Sequence, residues 1–397
     1  MMTRREWMRQ AAGAVATASL PGLLTRAAHA TTGTEAIAGK GSLKAHAAER
    51  GLLTGCAVNA KLFRDDPDFR ALLAEQYSIV VPENCLKFGW LRPTPDSYNF
   101  ADADALVSFA EEHGMKVRGH NFIWHEALPK WFAGTVNKNN AGRFLVDHIT
   151  TVGGRYKGKI HSWDVVNEAI WIKDGRPDGL RSSSPWFEML GPEYLDLAYR
   201  TAREADPHAL LTYNEYGIEY DTEDDAKKRA AVFGLLGRMK AMGTPIDALG
   251  IQSHIHAGGT EAFGKGLREL IDGARALGLQ VFITEMDVND DRVASDDIAA
   301  RDKAVAEVYG SYLDTVLRGP EVKAVLTWGT TDKNTWLNNG PKFRPLHPTR
   351  PQRPLPFDAE YKPMPAFFAM RDSFDKREHG NEATAIRKSR SSACGEG

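Results

Sequence analysis

His161-Ser-Trp-Asp-Val-Val-Asn-Glu-Ala169 is the stretch on which the reading of this chain turns. Trp163, Val165 and Asn167 fall on one parity and Asp164, Val166 and Glu168 on the other, the alternation of a barrel strand. It ends with an amide and a carboxylate side by side. Strict alternation would send Asn167 and Glu168 to opposite faces, so both serve one site only where the strand ends or bulges. A second stretch, Val281-Phe-Ile-Thr-Glu-Met-Asp287, also breaks an apolar run at a glutamate, Glu285. Two carboxylates at two strand ends suggest paired acid and nucleophile chemistry.

Outward from these two stretches, short apolar strands are predicted at 52–58, 79–83, 116–121, 160–167, 209–214, 248–253, 280–285 and 324–328. Segments of helical length separate them. Over 296–318, Ile298, Val305, Val308, Tyr309, Tyr312 and Val316 recur at helical spacings, with Ser295 placed to cap the helix and Gly319-Pro320 to stop it. Gly114, Gly243 and Gly278 are similar stops, each shortly before a strand. Repeated strand, helix and stop units predict parallel strands with helical crossovers, and eight of them a single-domain (β/α)8 TIM barrel.

The length of 397 residues suits one such barrel with extensions, and 42% apolar residues with nine Trp supply a large core. A formal net charge of −2, from 50 basic and 52 acidic residues, gives no electrostatic reason to expect a nucleic-acid partner. No apolar run is long enough to span a membrane. Residues 1–30 read as an export signal: Thr3-Arg4-Arg5-Glu6-Trp7-Met8-Arg9 is similar to the twin-arginine motif, an apolar stretch runs from Ala11 to Leu24, and Ala28-His29-Ala30 is a cleavage-type site. The expected address is therefore periplasmic or extracellular. The remaining divisions are a linker at 31–48, the catalytic domain at 49–375 and a disordered polar tail at 376–397. Cys56 and Cys85 are expected as buried free thiols, although a disulfide between them is conceivable, and Cys394 falls in the tail.

In a barrel of this kind reactive residues collect at the C-terminal strand ends, and nearly every predicted end is chemically loaded. The second carries Glu83, Asn84 and Lys87, the third His120 and Trp124, the sixth Gln252 and His254, and the eighth Trp328 with Trp336 beyond it. The long loop from Ala169 to about Pro192, with Trp171, Trp186 and Phe187, reads as functional. His125-Glu126 is followed by Ala-Leu-Pro, which breaks a His-Glu-x-x-His zinc pattern, so no metal and no cofactor is expected.

From about residue 50 to about 370 the sequence resembles family 10 of the glycoside hydrolases, the endo-β-1,4-xylanases. The resemblance implies Glu168 as acid/base and Glu285 as nucleophile of a retaining mechanism. It also implies that Glu83, Asn84, Lys87, His120, Trp124, Asn167, Gln252, His254, Trp328 and Trp336 bind the sugar chain. Xylan or xylo-oligosaccharide would be the partner, and the enzyme a monomer. Leu86 and Phe88 stand where many members have Met and Trp, which touches fine subsite preference rather than the reaction. Another retaining β-1,4-glycanase, cellulase-like, remains the nearest alternative, since the fold alone does not fix the sugar. A non-catalytic polysaccharide-binding protein would be expected to lack one of the two carboxylates.

Overall fold

The computed structural model describes residues 37–340 and 345–377. Its strands are β1 Leu53–Val58, β2 Ile79–Pro82, β3 Lys116–Gly119, β4 Ile123–Trp124, β5 Ser162–Asn167, β6 Leu210–Glu215, β7 Ala248–Ile251, β8 His254–His256, β9 Gln280–Asn289 and β10 Val322–Thr327. Eight of them pair in the order β10-β1-β2-β3-β5-β6-β7-β9, and β9 pairs back onto β10, so the ring is closed and has no free edge. All pairings in the ring are parallel, which obliges each connection to cross over the outside, and helices make the crossings. β4 and β8 follow β3 and β7 along the chain and rejoin the wall against β5 and β9. The predicted (β/α)8 barrel is what forms. The main departure among the strands is β9, which runs on past Glu285 to Asn289 and so carries Asp287 in the wall.

Side-chain parity sorts the core into two. Ala57, Ile79, Val81, Phe282, Ala324 and Leu326 form a small cluster inside the ring. The residues between them, Cys56, Val58, Val80, Val281, Ile283 and Val325, face the larger core shared with the helices. Cys56 and Cys85 are both buried and both free, and burial pushes the Cys56 thiol up. Gly114, Gly243 and Gly278 all adopt left-handed φ angles after helices, as the stops required.

Three boundaries differ from expectation. The linker expected at 31–48 contains a helix, Leu43–Glu49, capped by Ser42, with Leu43 and Ala47 fully buried and the Leu43 amide donating to Gln76 Oε1 at 3.1 Å. That helix packs on the last one, Pro365–Lys376. The helix predicted over 296–318 is Ile298–Val316, and its cap is Asp297, which accepts from the Ala300 amide at 2.8 Å, with Ser295 two residues outside, accepting from Asp297 N at 3.2 Å. Lys376 and Arg377, placed in the tail by sequence, belong to the domain: Lys376 ends the last helix and pairs with Asp314 at 2.7 Å, and Arg377 is buried and donates to the Val322 carbonyl at 2.8 Å. The rest of the expected tail and the export signal lie outside the described residues.

Candidate active site

β5 settles how Asn167 and Glu168 come to share a site. Its register against β6 slips between Asp164 and Val166, which moves Val166 to the outward parity and Asn167 to the inward one. Asn167 is the last residue of the strand, and Glu168 then takes φ +58°, a left-handed conformation uncommon for a non-glycine residue. The strained turn is held from both sides: Glu168 N donates to Asn214 O at 3.0 Å, and Arg181 Nε donates to the Glu168 carbonyl at 2.9 Å. Arg181 comes from the long loop after β5. In the same loop, Trp186 is fully buried and donates from Nε1 to the Trp124 carbonyl at 3.1 Å. The loop therefore works by holding site residues in place, and Trp186 is a core side chain rather than a sugar contact.

A cleft of about 740 Å3 opens at the C-terminal end of the barrel, and all the residues expected from sequence line it. Glu83, Asn84 and Lys87 follow β2, His120 and Trp124 follow β3, Asn167 and Glu168 leave β5, Gln252 and His254 follow β7, Glu285 stands on β9, and Trp328 and Trp336 follow β10. Lys87 Nζ sits 5.2 Å from the Trp124 ring centroid and 5.5 Å from that of Trp328, and hydrogen-bonds Asn84 Oδ1 at 3.0 Å. Glu83 accepts from Asn59 Nδ2 at 2.8 Å.

The two carboxyls are bound into one network yet are poised oppositely. Glu168 accepts from Trp124 Nε1 at 2.9 Å, Gln252 Nε2 at 3.0 Å and Asn167 Nδ2 at 3.1 Å. Burial, and then the negative charge of Glu215, outweigh these bonds and push its pKa up to about 7. Glu285 accepts from Asn214 Nδ2 at 2.7 Å and His254 Nε2 at 3.3 Å. Burial pushes Glu285 up as well, but the His254 hydrogen bond and the surrounding imidazole and guanidinium charge prevail, and its pKa is held at about 2. His254 is half-buried, 23% exposed, which works against its charge, but Asp287 at 2.9 Å and Glu285 on its other side raise its pKa well above the ordinary value. It is an imidazolium between two carboxylates. His120 is the opposite case: burial pulls its pKa down against the pull of Asp164, to which its Nδ1 lies at 2.7 Å, and its Nε2 lies 3.3 Å from Asn121 Nδ2. Asp164 is in turn paired with the buried Arg118.

Several functional residues escaped the sequence reading. Asn214 and Glu215 end β6 as an amide and a carboxylate, the same signature that drew attention to β5. Asp287 lay in plain view in the second glutamate stretch; its carboxylate holds His254 and also accepts from Trp336 Nε1 at 2.7 Å, fixing an indole of the cleft wall. Tyr216 lines the cleft from the loop after β6, with nothing in the local pattern to announce it. Among the described residues no group of three or more His, Cys, Asp or Glu is placed to hold a metal ion.

A closed parallel barrel whose mouth holds, between indoles, one carboxyl raised to about 7 and another held at about 2 defines the class of barrel glycosidases. The sequence profile of glycosyl hydrolase family 10 matches residues 42–373, and the chain belongs to that family. It is 35% identical over 316 residues to endo-1,4-β-xylanase B of Thermotoga neapolitana, covering 79% of this chain and 85% of that one. Native xylanase 10B from Thermotoga maritima superposes with a TM-score of 0.75 at 35% identity, over 84% of this chain and 98% of that one. Xylanase 10B from Thermotoga petrophila, solved in complex with xylobiose, gives 0.74 at 34% identity, over 84% and 97%.

Proposed function

We propose that the protein is an endo-β-1,4-xylanase that cleaves internal bonds of xylan with retention of configuration. The observation that carries this reading is the opposite poise of Glu168 and Glu285 in one cleft, where an acid and a nucleophile must coexist near neutral pH. The protonated Glu168 gives its proton to the glycosidic oxygen while the Glu285 carboxylate attacks C1, breaking the C–O bond and forming a glycosyl ester. Glu168, now ionised, takes a proton from water, whose oxygen attacks C1 and releases Glu285. Asn167, hydrogen-bonded to Glu168 and Asn214 between the two carboxyls, is placed to bond the 2-hydroxyl. Asn84 and Lys87 would hold the neighbouring sugar, with Trp328 and Trp336 as stacking walls.

Xylan as substrate is supported by the names of the relatives and by the xylobiose complex of the Thermotoga petrophila enzyme. A cellulase-like specificity on the same site is the second reading, and hydrolysis of xylan against carboxymethyl cellulose separates the two. Export by the twin-arginine route is part of the proposal and rests on Arg4 and Arg5 in their motif. Changing both to Lys keeps the charge but loses the guanidinium pair, so precursor should accumulate in the cytoplasm; unchanged export refutes the route.

The roles of the carboxyls are tested by azide. Glu168→Ala should lose most activity on xylan yet still form the glycosyl ester from an aryl β-xylobioside with a good leaving group, and azide should then give the β-glycosyl azide. Glu285→Ala cannot form the ester, so azide in the vacated space should give the α-azide directly. The same anomer from both variants would overturn the assignment.

A further inference from the structure

Beyond the catalytic cleft lies a second hollow of about 620 Å3, floored by Pro93, Leu128, Pro129 and Trp131, with Lys130 at its edge. The two meet at shared residues, Trp90 and Ala127. Trp90 is 57% exposed, the most exposed large aromatic side chain among the described residues. One exposed apolar side chain is ordinary by itself. Trp90 differs in where it stands and in what holds it there. It lies one turn on from the site lysine: Trp90 N donates to the Lys87 carbonyl at 3.0 Å in the short helix Phe88–Leu91, so it is the next residue outward on that side of the turn. The ledge beneath is fixed, because Gly89 N donates to Ala127 O at 2.8 Å, and a Cβ on Gly89 would lie 2.4 Å from that oxygen. Trp131 donates from Nε1 to Arg92 O at 2.9 Å, and the Arg92 guanidinium packs 5.8 Å from its ring centroid and pairs with Asp147 at 2.7 Å. An apolar floor with a single ammonium at its rim suits a pyranose, which offers a C–H face to an indole and hydroxyls to the edge.

The direction of the chain follows from the nucleophile. Under the proposed function Asn84 and Lys87, bonded to each other at 3.0 Å in the cleft, hold the sugar that stays joined to the one esterified on Glu285, and that neighbour lies on its non-reducing side. The path from Lys87 to Trp90 therefore runs towards the non-reducing end. The geometry points to a remote sugar-binding subsite at Trp90, where the non-reducing end of the bound β-1,4-linked chain, having passed Asn84 and Lys87, stacks a pyranose on the exposed indole above the second hollow. This rests on the glycanase reading and extends it to a preference for long chains.

The test compares aryl β-xylobioside with aryl β-xylotetraoside on wild type, Trp90→Ala and Trp90→Phe. Because the indole is exposed, its removal should leave the fold intact. The ratio of kcat/KM for the tetraoside over the bioside should fall about fivefold in Trp90→Ala and largely recover in Trp90→Phe. An unchanged ratio overturns the subsite, whether or not both rates fall together. Wild-type enzyme that turns over neither glycoside would instead overturn the glycanase reading.

Discussion

Glu215 should set much of the alkaline limit of activity although it touches no substrate. It is fully buried, accepts three hydrogen bonds, from Tyr213 Oη at 2.5 Å, Tyr216 N at 3.1 Å and Ile170 N at 3.2 Å, and forms an ion pair with Lys228 Nζ at 2.8 Å. After burial, its charge is the largest influence raising Glu168. Replacing Glu215 by Gln alone would turn an NH2 towards donors and strand the buried Lys228 ammonium, at a cost of about 3–5 kcal/mol. The informative variant is therefore Glu215→Gln with Lys228→Met. Burial and then Glu215 carry Glu168 from the ordinary 4.5 up to about 7, so removing the second of these causes should lower it by roughly one pH unit. Glu168 must be protonated to act as acid, so activity is lost as pH rises through its pKa. In wild type that limb should lie near pH 7, and in the double variant it should move down to about 6. The assay is kcat/KM between pH 5 and 9 on an aryl β-xylobioside with a poor leaving group, with near-UV circular dichroism confirming the fold. A limb that stays in place would mean burial alone sets the pKa of Glu168, and one that moves up would reverse the sign of the reasoning.

Three further outcomes are expected. His254→Ala removes the donor that keeps Glu285 ionised, so burial should raise the nucleophile by about 1–2 units; activity at low pH should be lost at correspondingly higher pH, and an unmoved acidic limb in kcat/KM would count against the pairing. Gly55→Ala would place a Cβ 2.0 Å from the Ile79 carbonyl oxygen, where β1 pairs with β2, so the strands must part; the expected loss is about 1–3 kcal/mol or more, visible as a lowered Tm, and a wild-type Tm refutes the contact. Activity should survive dialysis against EDTA, since the described residues offer no cluster for a metal; a loss restored by added zinc or calcium would contradict that.

What was legible in sequence depended on whether the signal was local. The barrel could be read because each strand declares itself by a short apolar run and each helix by its spacing and glycine stop. The helix Leu43–Glu49 did not declare itself, because seven residues with only Leu43 and Ala47 buried make too short a period to separate from a linker. Ser295 and Asp297 are both competent caps two positions apart, and only the backbone path chooses between them. The residues expected to bind sugar were found through strand ends and family motifs, and all of them line the cleft. Glu215 was missed because its effect crosses space as charge, and no spacing rule links it to Glu168.

The deeper reason the site cannot be read residue by residue is that Glu168 and Glu285 are chemically the same group. Both are buried and both accept hydrogen bonds from neutral amides, so neither burial nor amide hydrogen bonding separates the two. The separation comes from which charges stand behind each one. Behind Glu285 are His254, through its hydrogen bond and its charge, His120 at 4.0 Å and then Arg118; behind Glu168 is Glu215. His254 in turn owes its charge to Asp287, which is in reach because β9 runs past Glu285 by enough residues to put a second carboxylate on the same wall. If esterification neutralises Glu285, Glu168 loses only a minor part of what raises it, since burial and Glu215 remain. The same carboxyl thus stays near neutrality through both halves of the cycle, able to give a proton in the first and take one in the second.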